Sequence, residues 1–157
     1  MTTELCAYTC DACDIARRTG VTRIELCAAP LEGGTTPSAG LIRYARRLPG
    51  LRLSVMIRPR GGDFLYTDAE TALMAEEIRF ARECGADGVV FGLLTPEGEV
   101  DEARTAQLVR EAAGMEVTFH RAFDMASDPL RALEAVVRTG CRRVLTSGGR
   151  NTAQEGL

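Results

Sequence analysis

Met56-Ile57-Arg58-Pro59-Arg60-Gly61-Gly62-Asp63-Phe64 is the stretch on which the fold turns. The apolar run 51–57 ends abruptly in two arginines, a proline, two glycines and an aspartate. That is the pattern of a buried strand emptying into a charged rim loop. Enzymes built on parallel strands keep their chemistry at strand ends of this kind. Arg58 and Arg60 flank a proline and can hold an anion, with Gly61, Gly62 and Asp63 completing the loop; a solvated turn reads the same residues equally well.

Outward from this loop, apolar or β-branched runs begin near Thr3, Thr22, Leu51, Asp87, Met115 and Arg142. Their spacing is that of βαβ units of about 30 residues. Between them the helices declare their ends. Thr9, Ser38 after Pro37, Thr67 with Glu70 as a capping box, Asp101, and Asp128 before Pro129 are N-caps for five helices. Gly20, Gly50, Gly85, Gly114 and Gly140 are the matching stops. Leu73, Met74, Ile78 and Ala81, and Leu130, Leu133, Val136 and Val137, form one-sided stripes expected to face the core.

Strict β-α alternation demands a parallel sheet with right-handed crossovers. No G-x-G-x-x-G opens the first unit, which removes the main reason for a doubly wound dinucleotide fold. Polar chemistry recurs instead at strand end after strand end: Cys6, Cys27, Arg58, His120, Thr146. The expectation is an α/β fold of the TIM (β/α)8-barrel type, one domain over residues 1–157, with about six parallel strands and five helices. A closed barrel takes about 200 residues or more. The sequence stops at Asn151-Thr152-Ala153-Gln154-Glu155-Gly156-Leu157, where a sixth helix is due, so the barrel is expected to be incomplete.

At 157 residues the chain has the length of one domain with a real core. Nineteen basic residues spread among 22 acidic ones leave no basic face for nucleic acid, and there is no tryptophan for a base-stacking platform. Residues 1–10 lack a basic segment followed by an apolar one, and no apolar run reaches about 18 residues, so no membrane association is expected and the expected location is cytoplasmic. Six cysteines in such a compartment are free thiols, metal ligands or redox pairs rather than a disulfide framework. Cys84 and Cys141, beside helix-stop glycines, read as small apolar residues.

Glu4-Leu5-Cys6 and Glu25-Leu26-Cys27 echo one another on the first two strands. Alternation puts each glutamate on the face of its cysteine. Strands lie about 4.8 Å apart, so pairing the echoes in register makes Cys6 and Cys27 neighbours. Metal ligation, a redox pair and inert packing all remain open for them. Cys10-Asp11-Ala12-Cys13 is a lone C-x-x-C at a helix start, with acidic neighbours that work against a thiolate. His120, the one histidine, ends the fifth strand, with Asp124 placed to orient its ring. Thr146 and Ser147, before Gly148-Gly149, are hydroxyl donors for an anion or members of a plain turn.

Taken together, Arg23-Ile24-Glu25-Leu26-Cys27, Gly33-Gly34-Thr35-Thr36-Pro37-Ser38, the stretch 56–64, Gly88-Val89-Val90-Phe91-Gly92, the stretch 118–124 and Leu145-Thr146-Ser147-Gly148-Gly149 resemble the CutC family of copper homeostasis proteins. The segments stand in family order with family spacing across nearly the whole chain. The resemblance implies a cytosolic, usually oligomeric (β/α)8 barrel tied to copper binding and tolerance. It implies that Cys6 and Cys27 hold the copper-associated positions, and that Arg58, Arg60, Asp63, His120 and Asp124 line an active-site mouth. Cys10 and Cys13 depart from the family pattern, and family members continue through two further strand-helix units.

Two functions follow as expectations. In the first, Cys6 and Cys27 hold Cu(I), with Met56 as a third ligand from the next strand. In the second, an enzyme acts on a small anionic metabolite: Arg58 and Arg60 hold the anion, His120 with Asp124 transfers a proton, and Glu25 assists. A third outcome is an inactive partial barrel whose open edges favour self-association or domain-swapped closure.

Overall fold

The structure, a computed structural model, describes residues 3–157. Six strands alternate with five helices: β1 (Glu4–Ala7), α1 (Cys10–Arg18), β2 (Arg23–Leu26), α2 (Ala39–Arg46), β3 (Arg52–Met56), α3 (Asp68–Glu83), β4 (Gly88–Phe91), α4 (Glu102–Ala112), β5 (Glu116–Phe119), α5 (Pro129–Thr139) and β6 (Arg143–Val144). Two 3-10 turns, Pro30–Glu32 and Arg121–Met125, follow β2 and β5. The strands pair in chain order, all parallel, in one sheet. A doubly wound sheet reverses its order at a switch point; this one never does, and the result is a TIM-like half-barrel.

The predicted caps form. Thr9, Ser38 and Asp101 accept hydrogen bonds from the backbone three residues on, Thr67 and Glu70 close a full capping box, and Asp128 accepts from Leu130 and Arg131. Each satisfies a first-turn N–H that the helix cannot satisfy itself. The five stop glycines all carry positive φ. At α4 the left-handed turn begins one residue early, on Ala113.

The two faces of the sheet differ in chemistry. Ile24, Leu26, Leu53, Val55, Ile57 and Val89 pack with Ala16, Ile42, Met74, Ile78 and Leu108 of the helices in one buried cluster. The alternate residues, facing the inside of the half-barrel, are Cys6, Glu25, Cys27, Ser54, Met56, Val90 and Thr118. Parallel strands buried on both faces are normally apolar throughout. An inner face this polar is where function is to be sought.

The stripes hold only in part. Met74, Ile78 and Ala81 are buried, but Leu73 is half-exposed. On α5, Ala132, Ala135 and Val136 are buried, whereas Leu130, Leu133 and Val137 are exposed. The helix presses its small residues onto β5 and its neighbours, and its larger apolar residues lie on a flank that no described helix covers. Among the described residues, β1 and β6 each pair with one strand only, and no helix is long and apolar enough to cross a membrane.

Candidate functional site

Cys6 and Cys27 meet, but not through the expected register. Cys6 lies opposite Glu25, not Cys27, a stagger of two residues relative to the echo. An odd slip would have sent one cysteine to the helix side; an even one keeps the facing and moves the side chain along the strand. The Cys27 N–H then donates to Ala7 O, just past the end of the pairing. The sulfurs lie 3.7 Å apart, and Glu25 Oε1 is 4.0 Å from Cys6 Sγ and 3.8 Å from Cys27 Sγ. All three ligand atoms fall within 4.8 Å of one another.

The charges within this corner are coupled. The hydrogen bond from Cys27 draws the Cys6 thiol down to about 6, against its partial burial and with help from the Tyr8 hydroxyl. Cys27 is pushed up, first by sharing that bond and then by burial and the Glu25 charge. The two thiols thus share one hydrogen bond, which favours ionising one of them and opposes ionising the other. Burial first, then the neighbouring charges of Cys6 and Glu4, raises Glu25 to about 7.

Sulfurs 3.7 Å apart are close enough for both to hold one metal ion. Two thiol sulfurs are soft donors suited to Cu(I), and the Glu25 carboxylate is a harder third. Met56 packs against Cys27 and Val90 on the same face. A Cβ on Gly34 would make only ordinary contact with Cys27 Sγ and Met56 Cε, at 3.4 and 3.6 Å, so its left-handed φ of +95° is what calls for glycine beside them. The donor set therefore fits copper. Elsewhere, Cys10 is exposed while Cys13 is buried in the helix-side core and raised to about 11 by burial. Cys84 and Cys141 are half-buried against that core.

The arginines of the rim hold the chain rather than standing free. Arg58 is buried, its Nη1 donating to Glu32 O and Gly34 O and its Nη2 to Gly62 O, with the guanidinium 4.8 Å over the Phe64 ring. It ties the 3-10 turn after β2 to the loop after β3. Arg60 turns the other way, its Nε donating to Glu70 of α3 at 2.6 Å and its Nη2 to Leu65 O. It also pairs with Asp63 and stacks over Tyr66. The expected Arg58/Arg60 anion clamp is therefore not formed: proline sends the two side chains to different places. Gly61 packs against the Glu32 side chain with no room for a Cβ. Gly62 and Asp63 line a cavity of about 620 Å³ with Phe64, Leu94, Arg121 and Met125.

His120 and Asp124 do not meet, which corrects their expected partnership. His120 Nδ1 accepts from the Ala122 N–H at 3.2 Å. Burial, reinforced by the Arg58 charge, pushes the imidazole down to about 3, so it is neutral. Asp124 instead accepts from the Arg121 Nε, the Thr146 and Ser147 hydroxyls and the Ser147 and Gly149 N–H groups. Burial pushes its carboxyl up, yet these donors outweigh it and hold the group well below the ordinary range. Thr146 and Ser147 do bind an anion, and that anion is the chain's own Asp124. The reason is local: the 3-10 turn Arg121–Met125 swings Asp124 away from His120 toward the end of β6.

Glu25, Arg58 and His120 nonetheless share a wall. With Met56, Phe64 and Leu145 they enclose a cavity of about 260 Å³. Arg121, Tyr8, Glu32 and Phe64 were not anticipated. Strand alternation places Arg121 on the outer face, and only the 3-10 turn, with Ala122 buried beneath it, brings it to both cavities. Tyr8 carried a signal, as the next residue but one after Cys6.

The fold and the inner-face site define a TIM-like β/α half-barrel with a paired-thiol corner at its open end. The family model of the CutC family matches residues 1–157, and the chain belongs to that family. It is 51% identical over 156 residues to the CutC protein of Porphyromonas gingivalis, covering 99% of this chain and 63% of the relative. The CutC protein of Salmonella paratyphi B is 49% identical over 154 residues, 98% of this chain and 62% of the relative. The chain thus spans about three fifths of the length of the curated relatives it matches. The crystal structure of a proposed copper homeostasis protein CutC from Streptococcus agalactiae superposes with a TM-score of 0.88 at 37% identity, over 96% of this chain and 74% of that one. A dihydrodipicolinate synthetase-like protein from Pseudomonas aeruginosa, 14% identical with a TM-score of 0.58, shares the fold alone.

Proposed function

We propose that this chain binds Cu(I) through Cys6 and Cys27 and serves copper homeostasis in the cytoplasm. The observation that carries the reading is the 3.7 Å separation of two free sulfurs on the inner face, beside the Glu25 carboxylate. Family membership supports it, as does the copper homeostasis role proposed for the similar protein of Streptococcus agalactiae. Met56, packed beside Cys27, supplies a thioether as a weaker third donor. The edges of β1 and β6 support self-association, since an unpaired strand edge is a template for another chain.

Titration with Cu(I) under reducing conditions, against a competing chelator, tests the ligands. The parent is expected to bind near one equivalent, and Cys6→Ser/Cys27→Ser to lose at least about 100-fold in affinity, since losing the ligands themselves costs more than the roughly 10–100-fold of losing a residue that only supports a ligand. Met56→Leu should lose far less. Unchanged stoichiometry and affinity in the double variant would sink the assignment. Sedimentation of the same sample tests the assembly, and a monodisperse monomer contradicts it.

A further inference from the structure

The 260 Å³ cavity carries a second chemistry that needs neither thiol. Arg58 is 5% exposed, and its charge is met by three carbonyl dipoles and the Phe64 face. Among the described residues no carboxylate lies within 4 Å of its guanidinium nitrogens, and the buried Tyr66 hydroxyl, which has no other partner, lies against the guanidinium. His120 is 4% exposed. Because its Nδ1 accepts from Ala122, the ring proton sits on Nε2, and that N–H is without a partner. Native interiors seldom leave buried donors unmet. Here the imidazole donor belongs to a residue of the cavity wall, beside a buried cation that no carboxylate neutralises.

We propose that this cavity binds a small monocarboxylate, an oxygen accepting from His120 Nε2–H, its charge facing the Arg58 guanidinium and its carbon skeleton resting on Met56, Phe64 and Leu145. Arg121 also lines the cavity but is already paired with Asp124, so one unneutralised cation, Arg58, calls for one negative charge. A dianion such as phosphate would instead meet Glu25 and Glu32, which line the same cavity. The neutral imidazole donates without adding charge, as suits a carboxylate already facing a guanidinium. At about 30 Å³ per water in the liquid, 260 Å³ holds about nine waters, or a metabolite of about that many non-hydrogen atoms. The larger cavity shares Phe64 and Arg121 with this one, giving room for a longer tail.

Phe64 governs entry. Its ring lies 4.8 Å from Arg58 Cζ and 4.9 Å from the imidazole centroid, so it covers the guanidinium and the imidazole, and His120 Nε2 is not reached by solvent. A ligand gains them when that ring turns aside, and the returning ring shields the new bonds from water, where a charge-assisted hydrogen bond is strongest.

His120 is the one histidine, so a long-range proton–nitrogen spectrum shows a single imidazole. Copper-free protein at pH 7 is titrated with pyruvate, butyrate and inorganic phosphate, and binding is measured in parallel by calorimetry. Pyruvate or butyrate should shift the Nε2 resonance saturably at one equivalent, and phosphate should not. His120→Phe, which keeps an aromatic ring against Phe64 and removes the N–H, should weaken carboxylate binding at least about tenfold, and Arg58→Lys should weaken it further where it folds. Absence of a saturable shift with both carboxylates overturns the proposal. So does phosphate binding as tightly as pyruvate, or parental affinity in His120→Phe. Because no copper is present, failure of the thiol assignment leaves this result standing, and the reverse holds too.

Discussion

The thiol corner and the arginine rim occupy the same inner face, yet they are built on opposite plans. At the corner, Cys6, Cys27 and Glu25 converge with little but each other for partners. At the rim, Arg58, Arg60, Asp124, Thr146 and Ser147 satisfy one another and the backbone almost completely. A charged motif at a strand end is therefore no sign of a binding site until its partners are counted. The rim is scaffold with the His120 donor left over; the corner is a ligand set with little scaffold role.

Arg58→Ala breaks that comparison most directly. It strands the carbonyls of Glu32, Gly34 and Gly62, at about 1–3 kcal/mol for each that stays buried, so a loss of about 3 kcal/mol or more is expected in urea unfolding. Cys6→Ser/Cys27→Ser should cost only about 1 kcal/mol in the same assay, since most substitutions lie near that value. Equal losses would mean that the corner is scaffold after all.

Glu25→Gln sharpens the contrast from the corner. Glu25 is raised in the folded state to about 7, so the protonated form is favoured by folding. Its contribution is fully present below the unfolded value of about 4.3 and is lost as pH rises through about 7. At about 1.4 kcal/mol per unit, the parent should lose up to about 3 kcal/mol between pH 4 and 8 from this group, and the variant should not. Parallel stability curves for the two proteins would refute the assignment.

Asp124→Asn does the same from the rim, with the opposite sign. Asp124 is lowered in the folded state, so its contribution is present above about pH 4 and fades as pH falls below the unfolded value toward the folded one. Replacing a carboxylate that takes five hydrogen bonds by an amide should cost about 2 kcal/mol at pH 7 and progressively less in acid. Faster hydrogen exchange at the Ser147 and Gly149 amides should accompany it.

The parts of this architecture that local rules decide were legible in the sequence. Thr9, Ser38, Thr67, Asp101 and Asp128 cap because a helix N-terminus needs an acceptor there whatever surrounds it. The parallel order followed from alternation alone. Register was not legible, because the two-residue stagger of β1 on β2 belongs to the curvature of the whole sheet. Nor were the distant partners of Arg58 and Asp124, which lie 22 to 26 residues away in chain, the latter reached through a 3-10 turn that reorients the backbone. The α5 stripe misled for a related reason: periodicity identifies an apolar face but not which neighbour is there to cover it.

The smallest effect probes the proton that joins the two sulfurs. Cys6 owes its lowered value first to the hydrogen bond from Cys27, while burial and the Glu4 charge oppose it. In Cys27→Ala the opposing influences are all that remain besides Tyr8, so Cys6 should return to about 8.5 or above. At pH 6.5 its thiolate fraction then falls roughly 80-fold. Nucleophilicity per thiolate rises with basicity at a Brønsted slope of about 0.4–0.5, which returns roughly 13-fold. The net expectation is a roughly sixfold slower reaction of Cys6 with a small aromatic disulfide, read by mass spectrometry of its peptide against exposed Cys10 as the internal standard. An unchanged ratio would show that the sulfurs do not share a proton, and the corner would then be two cysteines that merely lie close.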